Sequence, residues 1–201
     1  MKDPFREQIR RATRQRRRAL TAEERHSAAW AARNMLAASG LLRRGTRIGI
    51  YLSVRGELDT APVIELARRR GCKLFAPVID RHCPGEMRFA SLAGALRANR
   101  IGIPEPEHAL VSGRTLDLVL VPIVAFGPRG ERLGTGGGYY DRTFAYLRRR
   151  TVWLKPRLVG FAYDWQRVDD LSSRTWDVPL AAVVTDRRVL RFPRHATGIH
   201  T

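Results

Sequence analysis

The stretch that decides the fold is "LDLVLVPIVAF" at residues 116–126, followed at once by "GPRGERLGTGGGYYDR" at residues 127–142. The first part is a near-continuous apolar run, which is typical of a central strand buried on both faces of a parallel sheet. The second part has glycine at four of the five positions 134–138 and then becomes aromatic and charged. Ligands of open α/β sheets bind beyond the carboxyl ends of the strands, so this loop is predicted to bind an anion through backbone N–H groups.

Outward from this stretch, the hydrophobic pattern alternates between the period of helices and that of strands. Helices are predicted at 4–19, 21–38, 60–71 and 140–150, and strands at 47–53, 72–79, 87–90, 116–126, 157–163 and 181–185. This alternation predicts the α/β class, as a single three-layer domain over residues 1–190 with a largely parallel central sheet flanked by helices. Residues 191–201 are predicted to form a flexible C-terminal tail.

The first predicted helix combines a few apolar residues with many arginines. The apolar residues at near-helical spacing, which are expected to face the protein, are Phe5, Ile9, Ala12 and Ala19. The arginines expected to face solvent are Arg11, Arg16, Arg17 and Arg18.

The charge of the chain is strongly positive. Lys and Arg number 37 against 19 Asp and Glu, a net charge of +18 that predicts attraction to polyanions. Nearly all of the basic residues are arginines, so the coding bias of a GC-rich genome is an alternative cause of the positive charge. The longest apolar run contains Pro122 and is too short to span a membrane, and Cys72 and Cys83 form no C-x-x-C pair. A cytoplasmic protein without a membrane partner is predicted.

The glycine cluster matches neither of two common nucleotide motifs. No Gly-Lys pair occurs in the chain, which excludes a Walker A loop, and Tyr139 stands where G-x-G-x-x-G needs its last glycine. A loop whose glycines merely tolerate positive φ is the plain alternative. The neighbouring side chains favour a site, because Arg132 suits phosphate and Asp141 is a hard oxygen ligand for Mg²⁺. Tyr139 and Tyr140 suit stacking, and Asp177 is a candidate second carboxylate.

Together with the strand before it, the glycine motif resembles the 5-formyltetrahydrofolate cyclo-ligase family, also called methenyltetrahydrofolate synthetase. Similar stretches are "REQIRRATRQRRRALTAEER" (6–25), "IYLSVRGELDT" (50–60), "GIPEPE" (102–107) and "VGFAYDWQRVDDLSSRTWDVPLAAVVT" (159–185). The resemblance implies a single α/β domain that converts 5-formyltetrahydrofolate to 5,10-methenyltetrahydrofolate with ATP and Mg²⁺. It implies that ATP phosphorylates the formyl oxygen, after which N10 attacks the activated carbon. A monomer acting on these small molecules is expected.

Carried over residue by residue, the resemblance assigns ATP contacts to the first helix and the glycine loop. The implied ATP-binding residues are Arg6, Arg10, Arg132, Leu133, Gly134, Thr135, Gly136, Gly137, Gly138, Tyr139 and Tyr140. Arg6 and Arg10 are four apart and share one helical face, so their guanidinium groups can grip one polyphosphate. The family commonly has Lys at the position of Arg6. Arg132 and Tyr140 are the implied catalytic residues, and Asp141 and Asp177 the implied magnesium ligands.

The same resemblance assigns a folate pocket. The implied substrate-binding residues are Leu52, Glu57, Met87, Glu105, Thr135, Gly136, Gly137, Gly138 and Tyr139. A carboxylate at position 57 suits the donor edge of a pterin, which presents adjacent N–H groups. The plain alternatives are a surface Glu57, a core Met87 and an exposed loop Glu105.

Two positions depart from the family pattern. Some members have Lys at the position of Gly137 and others an aromatic residue at that of Thr135, so phosphate neutralisation is expected to rest on Mg²⁺, Arg132 and the N-terminal arginines. Two rival functions stay open: a nucleic-acid-binding protein, and a phosphosugar or acyl-transfer enzyme on a similar scaffold. The first is disfavoured because aromatic residues are not interleaved with the basic run, and nucleic acid is not an expected partner.

Overall fold

The computed structural model describes residues 3–79, 85–93, 96–98, 104–106, 109–150 and 155–193. Its α-helices are α1 (Pro4–Ala19), α2 (Ala22–Ala38), α3 (Ala61–Arg69) and α4 (Tyr139–Thr143). Its strands are β1 (Arg47–Gly49), β2 (Lys73–Ile79), β3 (Met87–Ser91), β4 (Leu96–Ala98), β5 (Pro104–Pro106), β6 (Leu118–Pro122), β7 (Ala125–Phe126), β8 (Arg132–Leu133), β9 (Arg157–Phe161), β10 (Ala182–Val184) and β11 (Val189–Arg191). Short 3₁₀ helices occupy Gly113–Thr115, Ala145–Arg149 and Asp164–Gln166.

Within the described residues, seven strands form one sheet in the order β11-β10-β9-β6-β1-β2-β3. The five inner strands pair in parallel, and β11 and β3 add one antiparallel strand at each edge. The pairs β4–β5 and β7–β8 lie outside this sheet. The predicted α/β class with a largely parallel sheet is confirmed.

Both faces of β6 are buried, as its apolar sequence predicts. Leu118 and Leu120 belong to a core cluster that includes residues of α2 and α3, whereas Val119 and Val121 belong to a second cluster. Successive strand residues point to opposite faces, so the two clusters lie on the two sides of the sheet. The second side is covered by α4, the following 3₁₀ helix and irregular chain rather than by long helices.

The apolar run at 116–126 is not one strand, contrary to the prediction. β6 ends at Pro122, because the next two carbonyls bond to side chains of α1. The Arg17 side chain donates to the Ile123 oxygen over 2.7 Å, and the Thr13 hydroxyl donates to the Val124 oxygen over 3.3 Å. The chain then forms the β7–β8 hairpin, so the glycine cluster follows that hairpin rather than the buried strand itself.

Two further predictions need correction. The helix expected at 140–150 ends at Thr143, because Phe144 leaves helical geometry and buries its ring in the core; a 3₁₀ helix follows. The C-terminal tail was expected from residue 191, but Arg191 belongs to β11 and Phe192 packs against the core. Residues 194–201 lie outside the described part of the chain.

Helix α1 begins where predicted, with Asp3 capping the backbone N–H of Arg6 at 3.2 Å. The prediction that the apolar residues of α1 form its inward face is wrong. Phe5 is 48% exposed, whereas Arg6, Thr13 and Arg17 are buried. Arg17 is thus not solvated, because α1 crosses the carboxyl end of the sheet, where carbonyl groups need donors.

The remaining arginines of this helix are close to expectation. Arg11 and Arg18 are exposed, and the exposed Arg16 lies over the ring of Trp165 at 4.5 Å. Among the described helices, none has the length and hydropathy needed to cross a bilayer. Cys72 is a free thiol, and Cys83 lies outside the described residues.

Candidate functional site

A cavity of about 320 Å³ lies at the carboxyl ends of β1, β2 and β6, bordered by α1 and the glycine loop. Every residue predicted to bind ATP, folate or metal lines this cavity, among those whose side chains the structure describes. Glu105 lies in β5 opposite Arg97, and its side chain is outside the described part of the structure. The cavity therefore gathers residues from positions 6 to 177 at the end of the sheet where α/β folds bind ligands.

Two arginines of α1 reach the cavity. Arg6 is buried, donates to the Ser172 oxygen at 2.6 Å, and pairs with Asp177 at 3.3 Å. Arg10 donates from Nε to the Gly134 oxygen at 3.0 Å, which ties the helix to the glycine loop. The two guanidinium groups thus line the same cavity, as their spacing of four residues predicts.

Arg132, at the start of β8, is buried and fixed from two sides. Its Nε donates to the Val178 oxygen at 3.0 Å, and its Nη2 donates to Oδ1 of Asp141 at 2.5 Å. Burial lowers the pKa of the Arg132 guanidinium, while the charges of Asp141 and Asp177 oppose that effect. Held in this way, the planar group is preorganised for an anion in the cavity.

The glycine loop takes backbone conformations that other residues rarely adopt. Gly136 has φ of 110° and Gly138 has φ of 66°. Helix α4, which follows, has only five residues. The loop therefore does not lead into the long helix that the sequence predicted, and the N-terminus of such a helix cannot contribute to anion binding here. The arginines therefore carry most of the positive charge that this site presents. At Gly137, an added Cβ would lie 2.9 Å from the Tyr139 ring.

Glu57 lies at the opposite end of α1 from Arg6, close to Arg17. Its Oε1 is 3.9 Å from Nη1 of Arg17, and its Oε2 accepts the backbone N–H of Val54 at 3.2 Å. The Glu57 side chain is 11% exposed, so it is not the surface residue that the alternative reading expected. Burial raises its pKa, and the Val54 N–H and the charges of Arg17 and Arg55 oppose that rise.

Two tyrosine hydroxyls stand near this carboxylate. Tyr51 is buried and donates to the Leu58 oxygen at 3.1 Å. Burial raises the pKa of Tyr140, the charge of Glu57 adds to the rise, and Arg132 opposes it. Met87 lines the same cavity while being buried in the core, so the two roles considered for it do not exclude one another.

Asp141 and Asp177 can supply oxygens to a metal ion. Hydrogen bonds within the described residues reach Oδ1 of Asp141, from Arg132 and the Val178 N–H, and Oδ2 of Asp177, from Arg6 and the Arg174 N–H. No group of three or more His, Cys, Asp or Glu suited to a metal occurs in that part of the chain. Two carboxylates fit Mg²⁺ that arrives with a polyphosphate, because the ion takes few protein ligands and fills its shell with phosphate and water.

Sequence reasoning missed several cavity residues. Tyr51 and Pro122 follow or end parallel strands, so the rule that ligands bind at carboxyl ends could have identified them. Arg174 pairs with Asp3 at 3.3 Å and lies 5.4 Å from the ring of Trp176, which is 54% exposed. No local pattern marks these two, because their position depends on contacts with the distant start of α1.

The fold and the cavity define an α/β protein whose site, at the carboxyl ends of the strands, is built from a glycine loop, arginines and carboxylates. Comparison with known proteins narrows this class. The sequence model of the 5-formyltetrahydrofolate cyclo-ligase family matches residues 3–186. The chain belongs to the 5-formyltetrahydrofolate cyclo-ligase family.

Individual relatives agree along nearly the whole chain. A 5-formyltetrahydrofolate cyclo-ligase of Escherichia coli K12 is 36% identical over 181 residues, covering 88% of this chain and 97% of the relative. The Haemophilus influenzae protein of the same name is 32% identical, covering 87% and 94%. The NMR structure of Aquifex aeolicus 5,10-methenyltetrahydrofolate synthetase is 27% identical and covers 98% of this chain and all of its own, with a TM-score of 0.79.

Proposed function

We propose that this protein is an ATP- and Mg²⁺-dependent ligase that converts 5-formyltetrahydrofolate to 5,10-methenyltetrahydrofolate, releasing ADP and phosphate. The observation that carries the proposal is a single cavity that holds the glycine loop, arginines from two elements and the carboxylate of Glu57, whose side chain is 11% exposed. Arginines suit the polyphosphate of ATP, and a carboxylate suits the donor edge of a pterin. Relatives with this activity in their names align with nearly the whole chain, which supports the assignment.

The reaction has two steps. The formyl oxygen attacks the γ-phosphorus of ATP, and the bond between that phosphorus and the oxygen of ADP breaks. N10 then attacks the activated carbon, its proton is released, and the C–O bond breaks so that phosphate leaves with the former formyl oxygen. Positioning of the reacting atoms and stabilisation of the phosphoryl charge are the tasks left to the protein.

In this proposal the cationic residues bind the polyphosphate. Arg6 and Arg10 hold the ATP phosphates from α1, and the loop from Leu133 to Gly138 lets the backbone approach them. Arg132 stabilises the charge on the transferred phosphoryl group, and the Tyr140 hydroxyl donates a hydrogen bond to the reacting oxygen. Neither group needs to give up a proton during the reaction.

The other residues bind folate and metal. Glu57 accepts hydrogen bonds from the pterin, with Leu52 and Met87 against its ring, and Glu105 remains a proposed contact. Asp141 and Asp177 hold Mg²⁺, which neutralises phosphate charge when it is bound.

The test is an absorbance assay with purified protein. Addition of MgATP to 5-formyltetrahydrofolate is expected to give the near-ultraviolet absorbance of the methenyl product, and a non-transferable ATP analogue is expected to give none. Substrate labelled with ¹⁸O in the formyl group should yield ¹⁸O-phosphate, detected by ³¹P NMR. Absence of product contradicts the activity, and product with unlabelled phosphate contradicts phosphorylation of the formyl oxygen.

The proposal also includes a cytoplasmic monomer that acts on small molecules. Sedimentation of the purified protein should give the mass of one 22.8 kDa chain. A stable dimer would contradict this part of the proposal and leave the assignment of the reaction in place.

A further inference from the structure

Helix α1 has a buried polar residue that the proposed reaction does not use. Its inward face carries Arg6, Thr13 and Arg17, all at most 6% exposed. Arg6 belongs to the phosphate end of the cavity, and Thr13 bonds to the backbone at the end of β6. Arg17 lies at the other end of the helix and is not among the residues that line the cavity.

Arg17 links three parts of the fold. Its Nη2 donates to the Ile123 oxygen at 2.7 Å, and its Nη1 lies 3.9 Å from Oε1 of Glu57. The Arg17 Nε is also buried and has no hydrogen-bond partner among the described residues. Burying a guanidinium with incomplete hydrogen bonding is costly, so its position 3.9 Å from the Glu57 carboxylate calls for a reason beyond packing.

The loop that carries Glu57 is held directly on this part of α1. Gly56 has φ of 72°, and a Cβ at that position would lie 3.2 Å from both the Cβ and the carbonyl oxygen of Arg17. Glycine thus allows the loop to approach the helix backbone closely. This contact fixes the loop so that the Glu57 side chain lies beside Arg17 and itself lines the cavity.

The charged and titratable groups around Glu57 come from α1, from the loop between β1 and α3 that carries Glu57, and from α4. Arg17 of α1 and Arg55 of its own loop are positive, and Tyr51 after β1 and Tyr140 of α4 are neutral hydroxyls. Burial alone disfavours a charged Glu57, and a protonated acid would donate where the pterin needs an acceptor. Arg55 is exposed, so its field is screened by solvent, whereas that of the buried Arg17 is not.

We propose that Arg17 is a positioning residue for the pterin: it orients the Glu57 carboxylate and keeps it charged, without touching the substrate itself. The inference rests on the proposed function, because it takes Glu57 as the pterin acceptor. It makes α1 a common support for both substrates, with Arg6 and Arg10 at the ATP end and Arg17 at the folate end.

The experiment measures binding of 5-formyltetrahydrofolate by titration calorimetry without ATP, from pH 5 to pH 9, for Arg17→Met and Arg17→Lys. Arg18→Met is the matched control, because Arg18 is the adjacent exposed arginine. Arg17→Met is expected to weaken folate binding roughly tenfold at pH 7, with affinity regained at higher pH as Glu57 ionises. Arg17→Lys should restore the wild-type pH profile, and binding of MgATP should stay within about twofold in all variants.

A purely structural Arg17 gives a different result. Arg17→Met would then lower the melting temperature and weaken both ligands, with an unchanged pH profile for folate. In a Glu57→Gln background, Arg17→Met is expected to have no further effect on folate affinity, and a full additional loss would overturn the proposal. If the wild type binds folate but does not form product, the proposed reaction is wrong while the comparison of variants still decides the role of Arg17. If the wild type does not bind 5-formyltetrahydrofolate, both proposals are wrong.

Discussion

The carboxylate of Glu57 lies between α1 and the end of β1, with 11% of its side chain exposed. Because burial raises its pKa, the folded protein binds a proton at this site more readily than the unfolded chain does. Stability from this group therefore falls as pH rises from the ordinary glutamate pKa of 4.5 through the raised value, and it stays lower at neutral pH. The ionised Glu57 carboxylate, which suits a pterin, therefore lowers the stability of the ligand-free protein at neutral pH.

Glu57→Gln is predicted to stabilise the free protein at pH 7 while impairing function. Removal of the buried charge should raise the free energy of unfolding by about 1 kcal/mol, or the melting temperature by about 2–4 °C. The KM for 5-formyltetrahydrofolate should rise about ten- to hundredfold, because one charge-assisted hydrogen bond is lost. Thermal melts from pH 4 to pH 8 check the sign: the gain should disappear toward acid pH, and a loss of stability at pH 7 would be the contrary result.

Substitution of Asp141 tests the proposal that this residue binds Mg²⁺. Asp141→Asn should raise the Mg²⁺ concentration needed for half-maximal activity by about tenfold, because a neutral amide is a weaker ligand for a hard cation. A Mg²⁺ titration at fixed ATP measures this. Asp164→Asn is the matched control, since it breaks a 2.6 Å ion pair with Arg188 outside the cavity. It should leave the Mg²⁺ requirement unchanged, and a normal requirement in Asp141→Asn would remove this residue from the metal site.

At the scale of elements, the glycine loop and α1 act together. Arg10 bonds to the Gly134 oxygen, so the helix and the loop form two sides of one phosphate site. Gly136 and Gly138 take positive φ, a conformation that residues with a Cβ rarely adopt. This conformation allows backbone N–H groups of the loop to face the phosphate site.

Gly136→Ala is predicted to damage ATP binding through the backbone alone. An added Cβ meets nothing closer than Arg10 at 4.0 Å, so the cost of roughly 1–2 kcal/mol comes from φ of 110°. The loop should relax, and kcat/KM for ATP should fall about tenfold. Gly45→Ala carries a similar strain at φ of 81° in open space, outside the cavity. It should lower the melting temperature without changing the KM for ATP; equal kinetic effects of the two variants would contradict the assignment.

At the scale of the whole molecule, the net charge of +18 has the same sign as the net charge of the residues that line the cavity. Four arginines and three carboxylates line the cavity, which leaves it net positive by one charge within a strongly basic protein. Anionic substrates should be attracted over distances longer than contact, and salt should screen that attraction.

The kcat/KM for MgATP is therefore predicted to fall about tenfold as ionic strength rises from about 20 to 200 mM, with kcat nearly constant. Steady-state kinetics in a series of KCl concentrations check this, with sucrose as an uncharged control solute. Single-stranded RNA at equal phosphate concentration should inhibit far less than ATP analogues. Tight, strongly salt-dependent RNA binding would instead favour the nucleic-acid rival.

Local patterns in the sequence determined the elements and their class. Capping residues mark the start of α1 and α2, apolar runs mark the parallel strands, and the glycine cluster marks the loop, because each depends on neighbours within a few residues. The family motifs further identified about two thirds of the residues that line the cavity, 16 of 24. Only the tertiary structure decided that the buried Arg17 lies beside Glu57, that α1 turns a polar face inward, and that Arg174 reaches Asp3. These features join positions from tens to more than a hundred residues apart, where burial and partner follow from packing and leave no periodic signal in the chain.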